Sequence, residues 1–203
     1  MRRNWIIAEF TYDDLIAVYI VDVSQVRGNL KQIDNSRLDV TYEYYPNDVD
    51  VFIFQYSVDL FMSDGFPILE RPILNKLYER KSLYSRSGYG RVANQVYFMV
   101  EFPYRKCGLL SYLNPREEQL FQRWGAKEIH LTAAWDGKVI WRRFGYQPPE
   151  DEFAILGLRY QHWATIHGIE YQEPQNINDF PEEFLKDDCV KLITMYKVLE
   201  ECI

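Results

Sequence analysis

Arg105 and Gly108 stand three residues apart in FPYRKCGLLSYLNP (residues 102–115), and these residue types suit a loop that cradles phosphate. An arginine offers a planar, bidentate donor, and a glycine lets backbone approach an anion with no side chain in the way. If an apolar strand ends here and a helix begins, the first N–H groups of that helix point outward at the positive end of its dipole. The same pair also suits an ordinary strand-to-helix turn, and both readings stand on the motif alone. Cys107 between them fills the loop or presents a thiol at the helix start.

Elements on either side must position that loop. QVYFMVEF (95–102) is rich in β-formers and nearly continuous in apolarity, which predicts a strand covered on both faces. After the loop, Leu113, Leu120, Phe121 and Trp124 form one apolar helical face that stops at Gly125. Asn114 and Glu117 read as a cap and its N3 partner, so Pro115 kinks or restarts that helix. EIHLTAA (128–134) follows as a strand, and GKVIWRRF (137–144) as a short helix ending at Gly145.

Outside this stretch, residues 40–60 read as a hairpin around Pro46-Asn47-Asp48. Leu69, Ile73, Leu74, Leu77 and Tyr78 fall at helical spacing behind Pro67 and Pro72 and predict a helix over 67–82. EFAILGLRY (152–160) predicts a strand. A helix follows over Pro181–Glu200, carrying Leu185, Leu192, Ile193, Tyr196 and Leu199 and capped by Asp179. Apolar residues on more than one face of that helix suit packing on the core or on a second copy, a possible homodimer.

Composition narrows the classes. A chain of 203 residues suits one domain and one hydrophobic core, and 16% aromatic residues, sixteen of them tyrosine, suit packing and grooves. The formal charge of -7 argues against nucleic acid and favours a cationic partner. No run approaches the roughly 18 apolar residues of a membrane span, and the N-terminal apolar run is too short for a signal peptide, so a cytoplasmic location is expected. Cys107, Cys189 and Cys202 lie far apart, and His130, His162 and His167 lack zinc-ligand spacing, so reduced thiols and no metal are expected.

Taken in order, VEFPYRKCGLLSYL, EEQLFQRWGAKEIHLTAA and GKVIWRRFGY resemble the GCN5-related N-acetyltransferase (GNAT) superfamily over residues 95–147. The resemblance implies an α/β fold: a mixed, mostly antiparallel twisted sheet with flanking helices, as a single domain over 1–203. It implies acyl-coenzyme A as co-substrate, its pyrophosphate on the amides of Lys106, Cys107, Gly108, Leu109 and Leu110 beside Arg105. Pantetheine would run along the strand ending at Phe102, with a backbone N–H near Val100 polarising the thioester carbonyl. The flanks, 1–94 and 148–203, would build the acceptor side.

An amine acceptor must lose a proton before it attacks a thioester. Glu101 on the donor strand and His130, which faces opposite to Ile129 and Leu131 if its strand alternates, are the candidate bases, with Glu43 and Asp59 of the hairpin as further acids. The chain departs from the family at two positions. Leu110 replaces the second small residue of the loop. Trp141 replaces the tyrosine that in many members protonates the thiolate, and it suits either core or coenzyme contact. The expected activity is acetyl or longer acyl transfer to a primary amine, on a lysine side chain, a peptide or a small molecule. The rival is a catalytically degenerate binding module on the same fold.

Overall fold

The computed structural model describes residues 12–27, 39–48, 51–61, 67–71, 76–79, 91–95, 99–100, 105–123 and 125–199. It is a mixed α/β structure whose chain forms two compact units, residues 1–129 with 199–203, and residues 130–198.

The first unit opens with α1 (Tyr12–Tyr19), whose Asp13 and Asp14 lie in the first turn, where the helix dipole favours negative charge. β1 (Asp39–Asp48) and β2 (Val51–Phe61) form the expected antiparallel hairpin, in register from Asp39 opposite Asp59 to Asp48 opposite Val51. The other edge of β2 is divided. β3 (Pro67–Arg71) pairs with its end and β4 (Lys76–Glu79) with its first half. β5 (Arg91–Gln95) pairs with β4 and β6 (Met99–Val100) with β3, giving the order β6-β3-β2-β4-β5, and every pairing among β1–β6 is antiparallel.

One expectation fails here. The helix over 67–82 is replaced by β3 and β4. Leu69, Ile73 and Leu77 are four apart, and a spacing of four satisfies a strand's period of two as well as a helical turn. Pairing decides between them, with Leu69 opposite Leu60 and Val100, and Leu77 opposite Phe54 and Ala93. Of the strand expected over 95–102, residues 95, 99 and 100 are among the described residues, and all three are in strands. Gln95 ends β5 and Met99 and Val100 form β6, and the two lie in line, pairing with β4 and β3 in registers that differ by one residue.

α2 (Leu109–Arg123) runs unbroken through Pro115. Leu109, Tyr112, Leu113, Leu120 and Phe121 are buried along one stripe, together with the polar Asn114 and Glu117. Pro115 withholds one N–H from the ladder, and burial of that stripe keeps the helix continuous across it. The cap reading of Asn114 and Glu117 fails as well: Asn114 Nδ2 donates to Glu118 Oε1 at 2.7 Å. The helix ends as expected before Gly125, at φ +86. Trp124 lies outside the described residues.

β7 (Ala126–Ala134) carries the chain from the first unit into the second, with Ile129, Leu131 and Ala133 buried on one face. α3 (Gly137–Arg143) and the left-handed Gly145 follow the expected pattern. In place of the strand over 152–160 comes α4 (Glu150–His167). Pro149 precedes it, Glu150, Asp151 and Glu152 occupy its first turn, and Gly168 at φ 65 ends it. Its buried residues, Leu156, Tyr160, Trp163 and Ala164, fall at helical spacing. Ile155 and Leu158 beside them are exposed, and they lent the segment its strand-like run.

The long C-terminal helix also fails. α5 (Glu182–Lys186) is one turn, and β8 (Leu192–Val198) follows beside β7. Asp187 turns the chain by accepting from Cys189 N at 2.9 Å, and Ile193 and Met195 alternate as the buried residues of a strand. Asp179 does not cap α5. It closes a capping box with Asn176 around the 3-10 turn Ile177–Asp179. The core of this unit is aromatic: Tyr160 meets Trp163, Phe180 and Phe184 at 5.2–6.2 Å between ring centres. Arg142 ties α3 to the same region through Phe180 O at 2.7 Å.

Cys189 is exposed, yet partial desolvation of its thiol and its contact with Asp187 push it from 9.0 up to about 11. Two orders of magnitude less thiolate should be present near neutrality than in an ordinary cysteine. Alkylation followed by peptide mass spectrometry should therefore find Cys189 labelled about a hundred-fold more slowly than a free thiol at pH 8, with the deficit closing toward pH 11.

Candidate functional site

The Arg105–Gly108 turn is the best-formed part of the expected site. Positive φ occurs at Lys106 (60) and Gly108 (84), and not at Cys107 between them. Residues that alternate in handedness turn their N–H groups toward a common side, which makes an anion-binding concavity. The left-handed backbone at Lys106 costs roughly 1–2 kcal/mol, which is notable in a turn that already contains a glycine. Tyr112 N donates to Gly108 O at 3.0 Å, so Gly108 caps α2, and the amides of Leu109, Leu110 and Ser111 precede the first bonded turn.

Three ties hold the turn. Cys107 O accepts from Arg27 N at 2.9 Å, and Cys107 Sγ lies 3.5 Å from Arg105 O. Arg105 is exposed and its Nε donates to Val100 O at 2.9 Å, which aligns the guanidinium with β6. Leu109 is buried under the helix start and Leu110 is half-buried. A Cβ placed on Gly108 would meet nothing within 4 Å, so its backbone angle demands the glycine and crowding does not.

The structure thus gathers Val100 and Arg105 through Leu110 in the first unit. His130 and Trp141 belong to the second. His130 is half-buried on the β7 face opposite Ile129 and Leu131, its ring centre 6.1 Å from that of Tyr196. Trp141 is 7% exposed, edge-on to Tyr146 at 5.2 Å and near Phe144 at 6.3 Å, with Gly137 against its indole. Its surroundings are those of a core residue. Glu101 and Phe102 lie outside the described residues, and Glu43 and Asp59 are placed only by their register in the hairpin, opposite Gln55 and Asp39.

Sequence reasoning missed a buried polar group on α2. Glu117 is fully buried; its Oε1 accepts from Tyr19 OH at 2.7 Å and its Oε2 from Gln95 Nε2 at 3.0 Å. One carboxylate therefore ties α1, β5 and the helix that follows the turn. Gln95 Oε1 is buried without a hydrogen-bond partner. The signal was available in the pattern, because Glu117 sits four residues after Leu113 and three before Leu120, on the apolar face where a charged residue is rare unless paired. A second tie lies beside it. Tyr112 OH donates to Ile20 O at 3.0 Å and accepts from Asp22 N at 2.9 Å, with the Arg116 guanidinium 3.6 Å from the Tyr112 ring centre.

Buried Lys138 in the second unit donates to Val190 O, and burial holds its ammonium below the ordinary lysine range, against the pull of Cys189, Asp188, Asp187 and Asp136. Among the described residues no group of histidine, cysteine and carboxylate side chains could hold a metal, and no helix is long and apolar enough to cross a membrane.

No family model matches the chain, and no curated protein matches it. Among solved structures, the crystal structure of nourseothricin acetyltransferase is similar at 14% sequence identity and a TM-score of 0.37, over 78% of this chain and 71% of that one. A likeness at that TM-score carries neither fold nor activity across.

Proposed function

We propose that the chain is an N-acyltransferase of GNAT type that moves an acyl group from coenzyme A to a primary amine. The observation that carries this reading is the turn of alternating handedness at Lys106–Gly108 opening α2 beside Arg105, because it is shaped for an anion and follows an expected donor strand. Phosphate oxygens of the coenzyme would take the amides of Lys106 through Leu110 and the guanidinium of Arg105. The thioester would lie near Val100, where a backbone N–H stabilises charge developing on the carbonyl oxygen. The amine attacks that carbonyl, the coenzyme leaves as thiolate, and positioning supplies much of the rate. Glu101 would take the amine proton. With Trp141 in place of an acid, the thiolate would collect its proton from water.

Calorimetric titration with coenzyme A, acetyl-coenzyme A and a long-chain acyl-coenzyme A tests the reading. Binding with a preference for one acyl length supports it and selects the donor for an acceptor screen. Absence of heat from folded protein overturns it. Binding without transfer to any amine leaves a coenzyme-binding module.

A further inference from the structure

We propose that the outer edge of β1 takes an extended peptide bearing lysine or arginine as an added antiparallel strand. As an account of the acceptor this rests on the acyltransferase reading, although the binding itself does not. β1 is ten residues long and pairs along its length with β2. β2 spends its second edge on β3 and β4, so among the described residues β2 is the only strand beside β1. Every second residue of an edge strand turns its N–H and C=O outward, and ten residues span about 33 Å, room for a peptide of equal length. Pro46 and the register shift after it guard the turn end only, which leaves Asp39 through Tyr45 free of a proline.

Charge selects the occupant. Asp39, Glu43, Asp48 and Asp59 are the charged residues of β1 and β2, and all are acidic. Asp39 stands in register with Asp59, and Asp59 with Glu70 of β3, so three acidic residues occupy one row of the register. Such a row costs stability that a neighbouring cation recovers. A second copy of the chain would set its own acidic β1 against this one, and an acidic peptide would do the same. A basic strand matches in backbone and in charge.

The test uses the full chain without coenzyme and a fluorescein-labelled octapeptide of alternating lysine and threonine, read by anisotropy. Saturable binding is expected, weakened several-fold by added salt and about tenfold in the Asp39→Asn, Glu43→Gln double variant. Main-chain pairing has its own signature: of two peptides N-methylated at alternate residues in opposite phase, one should lose binding and the other keep it. No binding, equal binding of the glutamate–threonine peptide, or equal binding of both methylated peptides overturns the proposal. So does a dimer, seen by sedimentation, that the peptide dissociates, because the edge then belongs to a second copy. Peptide binding by a chain that fails the coenzyme titration discards the acyltransferase and keeps the edge.

Discussion

Replacing Gly108 by glutamate is expected to weaken coenzyme A binding on the order of a hundred-fold or more, since a carboxylate about 5 Å from a pyrophosphate repels it by roughly 3 kcal/mol at a protein-surface dielectric. Gly108 has φ 84, so any side chain there also strains the backbone by roughly 1–2 kcal/mol. Gly108→Asn separates the two effects, because asparagine tolerates the left-handed region and carries no charge. Calorimetry on both variants, with thermal melting as the check on folding, should show the asparagine variant binding and the glutamate variant not. Equal affinity in the two would mean that the turn holds no anion.

Glu117→Ala should be the most damaging single change among the described polar residues, destabilising the protein by about 3 kcal/mol in urea unfolding. It strips the acceptor from two buried donors, the Tyr19 hydroxyl and the Gln95 amide, and opens a cavity beneath α2. Tyr19→Phe, which removes one donor and keeps the ring, should lose about 1 kcal/mol. A Glu117→Ala variant within about 0.5 kcal/mol of wild type would show that the buried carboxylate contributes nothing net.

Legibility followed the kind of signal. The β1–β2 hairpin was readable because a Pro-Asn-Asp turn separates two β-rich runs. α2, β7 and α3 were readable because Gly125 and Gly145 punctuate them where left-handed backbone is required. The segments at 67–79, 150–167 and 182–198 were misread for a common reason. In each, the apolar residues fit two periods, and contacts distant in sequence chose between them: Leu69 against Val100, Tyr160 against Phe180, Gln147 against Tyr196. The turn at 105–108 was legible as a motif, yet its alternating backbone at Lys106 was not, since lysine gives no hint of positive φ. Glu117 was visible as a misplaced charge, but only the fold supplies Tyr19 and Gln95.

The aromatic core of the second unit bears on the order in which the protein assembles. Tyr160 and Phe184 are 24 residues apart, whereas Tyr19 and Glu117 are separated by 98. Closing the longer loop costs about 1.2 kcal/mol more chain entropy than closing the shorter. The Tyr160, Trp163 and Phe184 cluster should gather early, with the Tyr19 to Glu117 bond joining after the rate-limiting step. In stopped-flow experiments, loss of Glu117 should then quicken unfolding while leaving refolding nearly unchanged, and Phe184→Leu should slow refolding.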